Sequence, residues 1–349
     1  MLIFTNRDTQ GATDPSAFTT RFTPGATNLG LAAVARDGNG FRLSGLKSQV
    51  SDDQALQSLV PVFTGSQRVL VYLHGNNNSP SACFERCARL EEIYGLAVIG
   101  FSWPSEGLQS SGDDLPGLVA TSEDKDGDSA LLGVKPSNRT DDGIQRKIRR
   151  YHQAKDNASD GKDAMARFLR LLATARLYAN QQKMSLAAHS LGAHYLQSTL
   201  DVSGALESLG AMQNIALLAA CCRASGHASW VSQLQPPGQV FITFNKPDLV
   251  LYGARIADNN QIKLGAEPTD LVESPKVRYV SFTNAQLNFG GHSYFVRDAG
   301  KKVPKVQRKL FGRMFGSERD VQVDAGESPG DVYPLNCDAD GVTCYMAVP

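Results

Sequence analysis

The residues of this sequence that could do chemistry centre on a serine in the pentapeptide AHSLG, residues 188–192. An apolar run precedes the pentapeptide and a helix-like stretch follows it. A strand, a sharp turn and a helix around such a motif hold the serine hydroxyl at the tip of the turn, where it can act as a nucleophile. Gly192 supplies the small neighbour that the turn needs, and Ala188 is the next smallest choice where glycine is commoner. We therefore predict that Ser190 is a catalytic nucleophile; a serine that only caps a helix is the alternative.

A second polar segment follows the apolar run VLVYL, residues 69–73. This run predicts a strand buried on both faces of a parallel sheet, and it leads into the loop HGNNNSP, residues 74–80. In enzymes that carry a nucleophilic serine on such a turn, this loop donates a backbone amide to the developing oxyanion. Gly75 would let the backbone turn inward, so we predict that the amides of Asn76 and Leu191 form an oxyanion hole. An Asn-rich turn with local side-chain bonds is the alternative.

The general base follows by elimination among the six histidines. Enzymes with this serine motif carry serine, acid and histidine in that order along the chain. Two histidines precede Ser190, two lie beside it in the turn and helix, and His227 follows too soon to leave room for a strand and an acid. His292 remains, in the loop GGHS (residues 290–293) after a β-like run. We predict that it is the general base.

The acid should lie at the carboxyl end of a strand between the serine and the histidine. The run QVFITF, residues 239–244, is the clearest strand in that interval because β-branched and aromatic residues dominate it. Asp248 follows this strand and is the predicted acid, which would orient the imidazole and stabilise its cation. Asp258 is the runner-up. Asp201 and Asp270 fit less well because they follow helical or loop-like sequence.

Three further side chains close to these loops are candidates for the substrate pocket: His74, Trp103 and His189. Trp103 comes just after the strand predicted at residues 96–102, so it could form an apolar wall of the pocket. Its alternative role is packing in the core.

These segments resemble a bacterial α/β-hydrolase family known only as a domain of unknown function, number nine hundred. The resemblance covers roughly residues 65 to 295, with a weaker echo at the N-terminus, and implies a serine–aspartate–histidine triad but no substrate. The motifs that carry it are TNR (5–7), YLHGNN (72–77), FSWPS (101–105), AHSLG (188–192), Asp248 and GHSY (291–294). The sequence departs from the family at Cys221-Cys222-Arg223, where relatives tend to carry an aspartate, and between Glu106 and Ile144, which looks longer than usual.

Strand-like and helix-like patterns alternate over residues 69–282, which predicts a mostly parallel sheet flanked by helices, the α/β-hydrolase fold. Short patterns between residues 30 and 43 predict an antiparallel N-terminal extension. We predict a single domain over residues 1–300, in which the acidic, Gly-rich residues 106–142 form a flexible insertion or a partial lid. Residues 301–349 are expected to form a C-terminal extension, with a basic helix and then an irregular tail.

Composition limits the possible classes of protein. The chain has 349 residues, 42% hydrophobic and 20% charged, with zero formal net charge, which suits one large core. The one basic cluster, residues 145–150, has no interleaved aromatics, so we expect no nucleic-acid partner. No apolar run reaches the roughly 18–20 residues that span a membrane, and the N-terminus lacks the pattern of a signal peptide. We expect a cytoplasmic protein, with signal-less export as the alternative; no oligomeric state is indicated.

Metal sites and disulfide frameworks are not indicated by the six cysteines. The C-x-x-C knuckles and clustered histidines of zinc sites are absent from the sequence, so no metal and no cofactor are expected. Buried free thiols are the expected state of these residues. Cys337 and Cys344 are the exception, since they could close a short loop in an oxidising environment.

Together these residues predict a serine hydrolase that cleaves carboxylic esters through an acyl-enzyme on Ser190. Esters are favoured over amides because nothing in the sequence suggests a device for protonating a poor leaving group. The expected partner is a small-molecule ester or a lipid. Two alternatives stay open: a lipid-directed hydrolase or acyltransferase, and a non-catalytic binding protein on the same fold.

Overall fold

A computed structural model describes residues 1–109, 141–179, 182–285, 287, 291–296, 302–318, 332–337 and 344–346. Most of the insertion predicted at residues 106–142 lies outside the described residues. The strands are β1 (Leu2–Thr5), β2 (Arg7–Thr9), β3 (Phe18–Phe22), β4 (Gly30–Asp37), β5 (Gly40–Lys47), β6 (Val69–Leu73), β7 (Ala97–Ser102), β8 (Met184–His189), β9 (Ile215–Leu218), β10 (Val240–Phe244), β11 (Val277–Asn284), β12 (Val332–Cys337) and β13 (Cys344–Met346). The helices are α1 (Asp52–Thr64), α2 (Pro80–Tyr94), α3 (Asp141–Asp160), α4 (Lys162–Tyr178), α5 (Leu191–Thr199), α6 (Ala205–Leu209), α7 (Ala228–Val231), α8 (Leu249–Ala257) and α9 (Lys305–Phe315).

The main sheet has the strand order β13-β12-β11-β10-β9-β8-β6-β7-β1-β4-β5. The strands from β12 to β1 in this order run parallel, while β13 at one end and β4 and β5 at the other pair antiparallel. The predictions of a mostly parallel sheet and of an antiparallel N-terminal extension are therefore confirmed. Strands β2 and β3 form a separate antiparallel pair.

Helices cover both faces of the sheet. Phe4 of β1 and Phe101 of β7 pack on Phe168 of α4, with ring centroids 5.0 and 4.9 Å away. The neighbouring Gly100 instead lies against α2, where an added Cβ would stand 2.7 Å from the Cys87 sulfur. Because successive residues of a strand point to opposite faces, α2 and α4 lie on opposite sides of the sheet.

The central strands carry the predicted functional residues to one edge of the sheet. Every residue of β6, β8 and β10 is buried, as expected for parallel strands with helices on both faces. The carboxyl ends of parallel strands meet at the same edge, where ligands bind in open α/β sheets. We call this the carboxyl edge; the loops after β6, β8, β10 and β11 all leave the sheet there.

The C-terminal tail contains regular structure. Strand β12 pairs in parallel with β11, and β13 pairs with β12 so that Cys337 stands opposite Cys344. Cys337 is disulfide-bonded. The prediction of an irregular tail was wrong. The short strand β12 is flanked by Asp- and Gly-rich sequence, and it is stabilised by pairing with β11, which lies far away in the sequence. The cysteines at 83, 87, 221 and 222 are buried free thiols, as expected.

Candidate active site

Ser190 occupies the turn between β8 and α5. Its backbone has φ 53° and ψ −120°, a conformation that costs a non-glycine residue on the order of 1–3 kcal/mol. The N–H of Ser190 donates to the carbonyl of Leu218 (2.9 Å), and its own carbonyl accepts from the N–H of Cys221 (2.9 Å). These bonds tie the strained turn to the end of β9, which is the arrangement that holds a serine hydroxyl clear of a sheet.

Two glycines let the loop after β6 approach the turn. A Cβ on Gly192 would lie 2.6 Å from the carbonyl oxygen of His74 and 2.7 Å from that of Leu73. A Cβ on Gly75 would lie 2.8 Å from the Cβ of Ser190. Both positions therefore require glycine because the end of β6 and the serine turn are in direct contact.

Asp248 and His292 form a buried hydrogen-bonded pair. The Asp248 Oδ2 atom lies 2.7 Å from the His292 Nδ1 atom, and the two residues are 1% and 3% exposed. Asp248 precedes α8 as its N-cap, and its Oδ1 accepts from the backbone N–H groups of Val250 and Leu251, each at 2.9 Å. The two carboxylate oxygens thus have separate partners, so the orientation of the carboxylate toward the imidazole is fixed.

The loop that carries His292 lies on the serine turn. The ring of His292 stands 4.7 Å from the ring of His189, the residue just before Ser190. His189 also packs edge-on against Phe295 at 4.9 Å, and it is 1% exposed. On the other side, the Asn245 side chain donates to the carbonyl of Gly291 (2.8 Å). The structure therefore brings the predicted serine, acid and histidine to the same place on the carboxyl edge.

The predicted oxyanion amides lie on either side of Ser190. Leu191 is the first residue of α5, so its N–H has no acceptor within the helix. In the facing loop, the N–H of Asn77 donates to the carbonyl of Ser105 (2.8 Å), and the N–H of Asn78 donates to the Ser105 hydroxyl (2.9 Å). These bonds engage two of the three asparagine amides, which leaves that of Asn76 as the candidate donor.

His74 and Trp103 are bonded to each other beneath that loop. The Trp103 backbone N–H donates to the His74 Nε2 atom (3.1 Å), so the proton of this imidazole sits on Nδ1 and donates to the Gly75 carbonyl (2.9 Å). The indole N–H donates to the His74 carbonyl (2.9 Å), and the rings stack at 5.5 Å. Both side chains are fully buried. Their geometry supports the loop, and the prediction that they line a substrate pocket stays a prediction.

Comparison with known proteins finds a family match over the central segment. Residues 52–219 match the family described as alpha/beta hydrolase of unknown function, DUF900. Over these residues, about half of the chain, the protein is similar to the DUF900 family. The α/β-hydrolase fold predicted from the sequence is thereby confirmed. No curated protein and no solved structure gives a significant match.

The DUF900 match includes Ser190 and the predicted oxyanion residues but ends before Asp248 and His292. The acid and the histidine are therefore supported by the geometry of this chain, independently of the family. Asp248 follows β10 and His292 follows β11, and these two strands extend the parallel sheet beyond the matched residues. Both residues therefore lie at the carboxyl edge.

Arg7 supports the DUF900 segment from outside it, a role that no sequence pattern indicated. Its Nη2 atom donates to the carbonyls of Trp103 (2.5 Å) and Asn78 (3.3 Å). The guanidinium also pairs with both carboxylate oxygens of Glu106, at 3.0 and 2.8 Å. Arg7 is 3% exposed, so it joins the loop after β6 to the loop after β7 from inside the protein. The motif TNR marked this position only as part of the family resemblance.

Asp258, the alternative acid, lies in a different cluster at the other end of α8. Its carboxylate contacts the ammonium groups of Lys263 and Lys155 and the hydroxyl of Tyr151. Burial pushes the pKa of Asp258 upward, but the hydrogen bonds and charges of Lys263 and Lys155 outweigh it, so the pKa is below its ordinary value. The geometry thus favours Asp248 as the partner of His292.

Two titratable groups next to the serine turn, the partly buried His194 and the buried Cys221, stay neutral near pH 7. Burial, together with the charge of Lys155, lowers the pKa of His194 to about 4. Burial raises the pKa of the Cys221 thiol above its ordinary value, although Lys263 opposes this. Neither group therefore competes with His292 as a base or with Ser190 as an anionic nucleophile.

The described part of the chain contains neither a membrane-spanning helix nor a cluster of metal-binding side chains. None of its helices has the length and apolarity to cross a membrane. Nowhere in the same ranges do three or more His, Cys, Asp or Glu side chains gather in a way that could hold a metal ion.

Proposed function

We propose that this protein is a serine hydrolase that cleaves carboxylic esters through an acyl-enzyme on Ser190. The observation that carries the proposal is the buried pair of Asp248 and His292, bonded at 2.7 Å, on the loops that enclose a serine with a strained backbone. A serine that only capped a helix would require neither a strained backbone nor a buried histidine beside it. Nucleophilic catalysis needs both, because the serine hydroxyl is a weak nucleophile without an adjacent base.

Each step follows from these positions. His292 Nε2 takes the proton of the Ser190 hydroxyl as its oxygen attacks the ester carbonyl carbon. The electron pair of the carbonyl moves onto its oxygen, where the amides of Asn76 and Leu191 stabilise it by roughly 3 kcal/mol each. The C–O bond to the alcohol then breaks, and His292 returns its proton to the leaving alkoxide.

Hydrolysis of the acyl-enzyme repeats these steps with water. His292 takes a proton from the water molecule, whose oxygen attacks the acyl carbon. The bond to Ser190 breaks, the serine oxygen regains the proton from His292, and the carboxylic acid leaves. Asp248 stabilises the imidazolium in both halves of the reaction because it is buried and its second oxygen is held by two backbone donors.

A panel of p-nitrophenyl esters of increasing acyl length tests the proposal. The wild-type protein should release p-nitrophenol, and Ser190→Ala should lower kcat by at least about 1,000-fold, since the residues of such a triad act as a unit. Ser79→Ala is the matched control, because this serine caps α2 at the same edge of the sheet and should leave kcat unchanged. Equal activity of Ser190→Ala and the wild type would refute the proposal.

A further inference from the structure

Helix α8 presents an apolar outer face to solvent. Leu249, Tyr252 and Ile256 are 44%, 53% and 46% exposed, although they are large hydrophobic residues. Their spacing of three and four residues puts them on one side of the helix, in a stripe about 10 Å long. The opposite side is buried through residues such as Leu251 and Ala254. The stripe is therefore the outer surface of a helix that is fixed to the protein.

This helix lies along the carboxyl edge, next to the candidate active site. At its start, Asp248 caps the helix and binds His292. At its end, Asp258 accepts from the Tyr151 hydroxyl (3.0 Å), which also lies 3.3 Å from the Cys221 sulfur. Cys221 is bonded through its backbone to Ser190. Both ends of α8 are therefore tied to the edge of the sheet that carries Ser190.

The charges around the stripe are more positive than negative, although the exposed Asp156 follows His152 by one turn of α3. Arg255 is the one charged residue within α8. Helix α3 packs beside it, where the His152 ring bonds the carbonyl of Ala257 (3.1 Å). Arg149 precedes His152 by one helical turn and is exposed, so it lies on the same side of α3. The nearby acid Asp258 is buried and paired with lysines.

The size and charge of this face decide between possible occupants. The apolar stripe consists of three side chains over about 10 Å of helix, whereas each partner of a stable protein dimer buries about 800 Å², roughly 20–30 residues. A second copy related by a two-fold axis would also bring the same basic residues face to face. A lipid surface needs only a few inserted apolar side chains with a basic border, and its anionic headgroups attract arginine.

We propose that the outer face of α8, formed by Leu249, Tyr252 and Ile256, docks the protein on a lipid surface with anionic headgroups. Esters carried by that surface then reach Ser190 along the carboxyl edge. The assignment of substrate rests on the proposed ester hydrolase function, while the docking itself does not.

Co-sedimentation with vesicles tests the docking directly. The full-length protein is mixed with vesicles of phosphatidylcholine and phosphatidylglycerol in equal parts, and with vesicles of phosphatidylcholine alone. The wild type should sediment with the mixed vesicles and less with the neutral ones, and its binding to the mixed vesicles should weaken as salt rises. The double variant Tyr252→Ser/Ile256→Ser should partition into mixed vesicles at least about tenfold more weakly, because two apolar anchors are lost.

The chain offers a matched control of the same chemistry. Leu177 and Tyr178 are 65% and 72% exposed and end α4, which leads into the start of β8 at the opposite edge of the sheet. The variant Leu177→Ser/Tyr178→Ser should bind vesicles like the wild type. Equal weakening in both double variants, or no binding by the wild type, would overturn the proposal.

Other occupants would give different results. A concentration-dependent dimer in sedimentation velocity that Tyr252→Ser/Ile256→Ser dissociates would mean that a second copy covers the face. A clear drop in melting temperature of that variant would mean that another part of the chain covers it. Either result would overturn docking on lipid.

Hydrolysis of p-nitrophenyl acetate separates the docking from the proposed function. The Tyr252→Ser/Ile256→Ser variant should cleave this soluble ester at the wild-type rate, since neither residue belongs to the proposed triad or oxyanion hole. Vesicle binding without cleavage of any ester would leave the docking intact and contradict the hydrolase. Ester cleavage without vesicle binding would support the hydrolase and contradict the docking.

Discussion

Replacing Asp248 by asparagine is the perturbation that most sharply separates structure from catalysis in this protein. The Oδ1 atom of Asp248 accepts from the N–H groups of Val250 and Leu251 at 2.9 Å each. An asparagine must keep its own carbonyl oxygen on these donors, so its NH₂ group faces His292. The imidazole then has to accept at Nδ1, which puts its proton on Nε2 and removes the base that Ser190 needs.

The size of the effect follows from this geometry. Loss of the correct tautomer should lower kcat by about 10,000-fold, equivalent to roughly 5.5 kcal/mol of transition-state stabilisation. The helix cap survives because asparagine is as good an N-cap as aspartate, so the melting temperature should stay within about 5 °C of the wild type. The assay is steady-state cleavage of p-nitrophenyl acetate, with thermal unfolding of the same samples followed by circular dichroism.

Asp258→Asn is the matched control at the other end of α8. This change should destabilise the protein, because it leaves Lys263, which is 2% exposed, without its full counter-charge. Activity per folded molecule should be retained. If Asp248→Asn is nearly fully active while Asp258→Asn is inactive, the acid has been assigned to the wrong end of the helix.

Three further predictions concern the surroundings of the serine. Gly75→Ala should lower kcat at least about 100-fold, because the new Cβ would lie 2.8 Å from the Ser190 Cβ and displace the oxyanion loop; Gly11→Ala, where an added Cβ meets nothing within 4 Å, is the control and should be silent in the same ester assay. Arg7→Met should lower kcat by about 10- to 100-fold with KM nearly unchanged, since the loops after β6 and β7 lose their shared donor; a fall in melting temperature with kcat intact would contradict this. His194 has a pKa of about 4 in the folded protein, against an ordinary value of 6.5. Below pH 6.5 the unfolded chain therefore binds a proton that the folded protein excludes. The free energy of unfolding should fall by about 2 kcal/mol by about pH 5. His194→Gln should remove that loss, which urea unfolding near pH 7 and near pH 5 would measure; an unchanged difference between the two pH values would refute it.

The parts of the fold predicted from the sequence are those with strong local patterns. The buried strands β6, β8 and β10 are short apolar runs with turn residues at their ends, and every residue in them is buried. Strand β12 escaped prediction because Pro334 and polar flanks interrupt its pattern, and its pairing with β11 is fixed by the tertiary fold. The long helix α4 was not predicted either, since its buried residues spread over more than one narrow stripe and contact both the sheet and other helices.

The residues of the candidate site also fall into two groups: those that local sequence patterns predict, and those whose roles depend on long-range contacts. Chain order and strand ends were enough to select Asp248 and His292, because parallel strands deliver their following loops to one edge. The role of Arg7 depends on contacts with carbonyls 71 and 96 residues away in the sequence, which no local pattern contains. The bonds between His74 and Trp103 are also long-range, so the sequence indicated two residues near the site but not that each holds the other in place.

Mapping the site of reaction with a fluorophosphonate tests the central claim most directly, because the reagent modifies only a serine activated by a neighbouring base. Peptide mass spectrometry of the treated full-length protein should find a single adduct, on Ser190, and Ser190→Ala should not be labelled. An adduct on Ser79 or Ser293 in place of Ser190, or no adduct on a folded protein, would contradict the assignment of Ser190 as the nucleophile.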